Sequence, residues 1–230
     1  MRSLRSSGII YPNFFNGGNF MSWIYPFDLW FARIANYLLR SAGGFFTPAL
    51  KVVTLSGNGG IVFIVAALCM LLFKKTRKCG VSALFALAFG VIITNLFLKN
   101  VIARPRPFEN SQSTFYNFWV QAGSLAESGY SFPSGHTTAA AAFATALFFS
   151  FRKRFSWTAF LIPVVMGFSR IYFGVHYASD VLAGIFVGII CGSFGAMIVR
   201  LFANFKSFNR FLKAKSIIEV FKQNKNSGNE

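Results

Sequence analysis

Uncharged apolar residues gather into five runs along the chain, at 55–73, 80–98, 133–151, 157–175 and 181–199, and short segments between them hold most of the charge. Each run approaches the ~20 helical residues that a hydrocarbon core of ~30 Å requires, so the pattern predicts five transmembrane helices. The fourth run carries Arg170 near its end. Hydrocarbon does not tolerate such a charge on a lipid-facing surface, so Arg170 is expected to point into protein. Ahead of the runs, 23–51 is apolar and aromatic but broken by Asp28, Arg33, Arg40 and Gly43-Gly44, with Phe27, Trp30, Phe31, Ile34 and Leu38 recurring at roughly helical spacing. That stretch is expected to lie as an interfacial helix, a sixth span with buried charges being the alternative. The fold class is therefore all-α, a polytopic transmembrane bundle with an N-terminal interfacial region at 1–54, a core at 55–204 and a basic, partly mobile cytoplasmic tail at 205–230.

Composition sharpens this picture. Hydrophobic residues make up 54% of the 230 residues and charged ones only 13%, whereas a soluble domain carries about 25% charged residues. The net charge of +17 comes from 23 Lys and Arg against six Asp and Glu. If the five runs alternate in direction, fourteen of the basic residues fall on one side: Lys74 to Lys78, Arg152 to Arg154, and those from Arg200 onward. By the positive-inside rule that side is cytoplasmic. Charge at the ends of apolar spans meets anionic lipid head groups first, so nucleic-acid binding is not the expected role. Met1 to Tyr11 has Arg2 and Arg5 but no long apolar core or small-residue cleavage site, and no removable signal peptide is expected. Cys69, Cys79 and Cys191 read as small apolar packing residues, and the six acids are too scattered for a metal cage, so no cofactor or metal is expected.

Four basic residues remain outside the cytoplasmic set and the N-terminal region: Lys99, Arg104, Arg106 and Arg170. Both histidines of the chain, His136 and His176, fall at span ends on that same opposite face. Lys99, Arg106 and Arg170 can converge on one dianionic phosphate, the guanidinium forks making bidentate contacts and Lys99 acting as a point charge. Ser134 and Gly135 follow Pro133 at the expected start of a helix, where free backbone N–H groups and a hydroxyl can face an anion. His176 and Asp180 stand four apart, on one face if both are helical, so the carboxylate can fix the tautomer and leave the other ring nitrogen to attack phosphorus. His136, from another helix, is then available as general acid for the leaving oxygen. Spacing alone also permits the two histidines to exchange roles.

These three segments together resemble the signature of the type 2 phosphatidic acid phosphatase family, whose phosphate pocket is shared with the vanadium haloperoxidases. The pattern is Lys99, six residues, Arg106-Pro107; then Pro133-Ser134-Gly135-His136; then Ser169-Arg170, five residues, His176, three residues, Asp180. At about 1 in 20 for each specified position, accidental agreement is negligible, whereas Pro-Ser-Gly-His alone would be weak. The resemblance covers roughly 55–199. It implies a helical membrane fold, a metal-independent phosphatase, a phosphohistidine on His176, acid work by His136, and phosphate binding by Lys99, Arg106, Ser134, Gly135 and Arg170. Arg104, which offers a second Arg-Pro two residues early, is placed at the pocket rim or against lipid phosphates. The aromatic stretch Phe115, Tyr116, Phe118 and Trp119 is expected to anchor the interface.

The expected substrate keeps its tail in lipid and presents its head group at the extracytoplasmic face of a bacterial plasma membrane. A polyprenyl pyrophosphate, undecaprenyl pyrophosphate first, is favoured, with phosphatidylglycerol phosphate, phosphatidic acid and lipid A phosphate open. A transporter moving an anion or phospholipid head group through the cationic pocket is the competing class, and it would need the cations but neither the His176 to Asp180 pairing nor a second histidine. A haloperoxidase using the pocket for vanadate is the third.

Overall fold

The computed structural model describes residues 20–151, 156–216 and 219. The N-terminal residues up to 19, Arg152-Lys153-Arg154 and most of the tail beyond 216 lie outside the described residues. All regular structure among the described residues is helical. Helix α1 runs Phe20–Ser56, α2 Ile61–Leu71, α3 Arg77–Ile102, α4 Thr114–Gln121, α5 Gly135–Ser150, α6 Leu161–Tyr172 behind a 3-10 turn at Trp157–Phe160, α7 Ala178–Phe202 and α8 Lys206–Lys213.

Two of these helices, α3 and α7, are each long and apolar enough to cross a membrane, and α7, at 25 residues, extends about 37 Å by the helical rise. The other three expected runs also become helices, but shorter ones. Gly135–Ser150 and Trp157–Tyr172 have 16 residues each. The first run is broken at its start, because Gly59 and Gly60 take left-handed backbone at φ 60° and 69° and leave only 11 residues in α2. The segment Ile24–Ser56 of α1 and the segment Asn58–Leu71 are long and apolar enough to cross a membrane only together, and they are bent by 52° at this break.

Helix α1 is one element from Phe20 to Ser56, kinked at Ala42, where φ and ψ are −143° and 26°. It passes the expected domain boundary at 54/55 and carries Thr54 into the core, where it is fully buried. Its inner face buries Ala32, Ala35 and Leu50 together with polar groups. Asp28 and Asn36 are buried, Asn36 donates to Gln121 of α4 at 2.9 Å, and Thr47 meets the Tyr172 hydroxyl of α6 at 2.7 Å. Its exposed positions include Tyr37 and Phe45, about 70% exposed or more, beside Arg33, Arg40 and Lys51.

The core is built on close approach rather than bulk. Helix α7 packs most extensively on α5 and next on α3, and its glycines make that possible. A Cβ on Gly188 would lie 2.5 Å from Ala141 Cβ, one on Gly192 2.4 Å from Thr145 Cβ, and one on Gly195 2.4 Å from the Ser82 carbonyl oxygen. Small residues at such contacts let backbones approach where lipid supplies no hydrophobic drive. The facing surface of α5 is correspondingly small, with Thr138, Ala141, Ala142 and Thr145 meeting the glycines of α7.

One expectation changes here, that of the cysteines. Cys79 and Cys191 are buried, but Cys69 on α2 is exposed, so only two of the three cysteines pack inside. The first part of the tail is a docked helix, because the Arg77 guanidinium donates to the carbonyls of Phe211 and Ala214 at 2.9 and 2.8 Å. A cation at that point satisfies the free carbonyls at the end of α8 and opposes its dipole.

Candidate active site

The site is built from the end of α3, the connection at 103–134, the first turn of α5, the end of α6 with the turn at 173–177, and the junction of α1 and α2 at 54–64. Helix α3 widens into a π-helical stretch at Ile92–Leu98 just before Lys99. It ends at Ala103, whose φ is 48°, because Arg104-Pro105-Arg106-Pro107 cannot continue a helix. The connection then folds back, with Ser131 N donating to the Arg104 carbonyl at 2.8 Å. Helix α4 is packed beneath it through Phe115, which meets Tyr25 and Tyr177, while Trp119 stacks on Phe108. The aromatic stretch expected at the membrane interface is thus partly internal. A Cβ on Gly174 would lie 2.9 Å from Trp119 Cβ, and its φ is 65°, so that turn depends on glycine.

A cavity of about 210 Å³ opens among these segments, with a polar lining of Lys99, Glu127, Gly135, His136 and His176, and an apolar one that includes Ile64, Leu87, Gly90 and Val91. His136 Nε2 lies 3.0 Å from Asn58 Oδ1. A Cβ on Gly57 would come within 2.8 Å of His136 Cδ2.

His176 is buried, with its two nitrogens in different company. Nδ1 lies 3.4 Å from Asp180 Oδ2 and 3.4 Å from Ser131 Oγ, while Nε2 lies 3.4 Å from Arg106 Nη1. A guanidinium cannot accept a hydrogen bond, so the proton belongs on Nδ1 and the lone pair on Nε2. Burial is the main reason that the imidazole pKa falls to about 4, the Asp180 carboxylate opposing that fall and the Arg170 and Arg106 charges adding to it. The pair is not made across one helix face, as spacing suggested. His176 precedes α7, which starts at Ala178, and Asp180 sits in the first turn, where its Oδ2 also accepts from Tyr177 N at 2.9 Å.

The cations are held by the protein itself. The Arg106 guanidinium donates to the carbonyls of Gly129 and Ser128, each at 2.7 Å, and of Val175 at 2.9 Å. Arg170 is buried, as expected, and donates to Thr54 Oγ1 at 2.5 Å and to Glu127 Oε2. Its Nε is buried without a hydrogen-bond partner among the described residues. Glu127 Oε1 is also 3.8 Å from Arg106. Burial pushes the Glu127 pKa up, but Arg170 and then Arg106 outweigh burial and hold the carboxyl below its usual range. Ser134 is fully buried rather than facing the cavity: its N–H donates to the Asp180 carbonyl at 3.1 Å and its hydroxyl accepts from Thr137 at 3.0 Å.

Arg104 differs most from expectation. It is not at a rim and not against lipid, being only 6% exposed and bonded to Asp180 Oδ1 at 2.6 Å and Asp28 Oδ2 at 2.8 Å. Glu127, Ser131 and Asp28 are residues that sequence reasoning left out of the site. An acid in the apolar stretch at 23–51 was the one available signal, since such a group needs a partner.

The PAP2 superfamily profile matches residues 80–204, and the chain belongs to that superfamily. A lipid A 4'-phosphatase of Porphyromonas gingivalis is 32% identical over 139 residues, 58% of each chain. The undecaprenyl-diphosphatase BcrC of Bacillus subtilis is 31% identical over 138 residues, 57% of this chain and 65% of that one. The chain thus matches less than two thirds of the length of these relatives. A crystal structure of a PAP2 type phosphatidylglycerolphosphate phosphatase from Bacillus subtilis has a TM-score of 0.60 at 24% identity, covering 80% of this chain and 90% of that one. At that identity the likeness is one of fold.

Proposed function

We propose that the protein is a membrane lipid phosphatase that works without a metal through a phosphohistidine on His176. The observation that carries this reading is the arrangement of His176: Nδ1 on the Asp180 side, Nε2 beside Arg106, and His136 lining the same cavity. In the first displacement Nε2 attacks the substrate phosphorus, the bond to the leaving oxygen breaks, and His136 gives that oxygen a proton. In the second, His136 takes a proton from water as it cleaves the phosphorus–nitrogen bond, and phosphate leaves. Lys99, Arg106 and Arg170 hold the charge that develops on the phosphoryl oxygens, with Gly135 letting the phosphate approach the start of α5 and Ser134 supporting that turn.

The apolar lining from Ile64, Leu87 and Val91 favours a phosphate attached to a hydrocarbon tail. Relatives named for lipid A, undecaprenyl diphosphate and phosphatidylglycerophosphate support the same class. Within it, a polyprenyl pyrophosphate such as undecaprenyl pyrophosphate is our first choice. We read the five apolar runs as five crossings of a bacterial plasma membrane, the first made with the end of α1, and the basic loops as cytoplasmic. The site then faces outward.

The test is phosphate release in detergent, with excess chelator, from phosphatidic acid, phosphatidylglycerol phosphate, lipid A and a polyprenyl pyrophosphate. Turnover from at least one lipid, unaffected by chelator and lost in His176→Ala, is the expected result. Activity abolished by chelator, or retained by His176→Ala, would overturn the mechanism, and transport without hydrolysis would favour the competing class.

A further inference from the structure

The catalytic carboxylate of the proposed mechanism is wired to a helix outside the 80–204 match, through a residue that the motif does not include. Arg104 Nη1 bonds Asp180 Oδ1 at 2.6 Å and Ser179 Oγ at 2.7 Å, and its Nη2 bonds Asp28 Oδ2 at 2.8 Å. Its Cζ lies 3.8 Å from the centre of the Tyr177 ring. Asp28, on α1, also accepts from the Ser179 N–H at 2.8 Å and the Ser179 hydroxyl at 2.9 Å. Asp28 and Asp180 are 1% and 0% exposed.

We propose that Asp28 is a positioning residue for His176, acting through Arg104 on Asp180, so that α1 is part of the catalytic apparatus. This rests on the phosphohistidine reading. The physical reason is charge balance in a buried cluster. A phosphorylated imidazole bonded through Nε2 and still protonated at Nδ1 carries positive charge on the ring, which Asp180 must balance. Arg104 alone beside Asp180 would neutralise that carboxylate. Asp28 supplies a second negative charge that engages the other side of the guanidinium, so the trio keeps a net charge of about −1 facing His176. The same contacts fix the Asp180 rotamer, because Oδ1 is held by Arg104 while Oδ2 takes Ser131 Oγ at 2.5 Å and Tyr177 N at 2.9 Å. His176 can then find its partner only in one place.

The experiment uses the full chain in detergent, with dioleoyl phosphatidic acid and farnesyl pyrophosphate as substrates and orthovanadate as the phosphate analogue. Asp28→Asn should lower kcat by about 10- to 100-fold, by analogy with the loss seen when an outer-shell partner that orients a metal-ligating side chain is removed. KM and the thermal shift induced by orthovanadate should stay within about twofold, and Asp28→Glu should recover part of the loss. In an Asp180→Asn background the Asp28→Asn effect should vanish, because the path runs through that carboxylate. A kcat within twofold of the parent, or a loss that persists undiminished without Asp180, overturns the proposal. If Asp28→Asn does not fold, Ser179→Ala removes only the hydroxyl links and should lower kcat by about 3- to 10-fold; no change overturns the proposal equally. His176→Ala separates the two levels. If it remains active, the phosphohistidine reading fails. If it is dead while Asp28→Asn and Ser179→Ala turn over normally, only the role of Asp28 fails.

Discussion

Replacing Glu127 by glutamine tests whether the cavity is already filled by an internal anion. Glu127 lines the same cavity as both histidines and Lys99, and it pairs with Arg170 while facing Arg106 at 3.8 Å. Its carboxylate thus takes up the charge of two arginines assigned to the substrate phosphate, and an entering oxyanion has to displace it. A charge-assisted hydrogen bond contributes about 1.5–3 kcal/mol. The Glu127 side chain is 24% exposed, and discounting for that screening leaves about 1–2 kcal/mol. Removing the charge while keeping the shape should therefore tighten oxyanion binding by about 5- to 30-fold. The assay is the inhibition constant of orthovanadate, measured for parent and Glu127→Gln in the same detergent at fixed ionic strength. KM for the lipid substrate should fall in step. An inhibition constant that is unchanged or raised in Glu127→Gln would refute the idea that this carboxylate stands in the phosphate's place.

Four further outcomes follow from the geometry. In His136→Gln, which leaves one histidine in the chain, the imidazole nitrogen resonances of His176 should titrate near 4; a midpoint near the ordinary ~6.5 would contradict the buried, cation-flanked ring. The same depression sets a stability trend: the unfolded imidazole takes a proton below ~6.5 and the folded one does not, so the contribution of His176 is complete above that pH and is lost on descending from ~6.5 towards 4, as thermal melts between pH 7 and 4 would show. Gly90→Leu adds bulk to the apolar lining, so it should reduce turnover of a long-tailed phosphate by at least about tenfold and spare a short water-soluble phosphomonoester, an equal loss on both being the contrary result. Gly192→Val forces a Cβ to within 2.4 Å of Thr145 Cβ and should cost about 1–3 kcal/mol in denaturation measurements, whereas a neutral effect would mean that α5 and α7 can separate freely.

Much of the site was readable because its parts are local in sequence. Pro133 to His136 must open a helix wherever that helix lies, and an arginine in an apolar run must turn inward, as Arg170 does. The partners were not readable. Arg104 and Arg106 are two residues apart with the same neighbour in proline, yet one is bound to Asp28 and Asp180 and the other to backbone carbonyls beside His176. Nothing local separates them, since the difference is made by what α1 and the 128–131 turn bring up from outside. Glu127 was hidden for the same reason, and so was the break at Gly59 and Gly60, where an apolar run long enough to span gives way to two shorter helices at an angle.

By itself the sequence pointed to a helical chain, to lipid as its main solvent, and to phosphate chemistry for Lys99, Arg106 and Arg170. Those conclusions depend on composition and on spacings within single segments, which the chain carries wherever it folds. Tertiary structure alone decided which carboxylate meets which cation. Buried charges choose partners by distance in three dimensions, and here the residues paired through Arg104 lie on α1 and α7, helices far apart in the sequence.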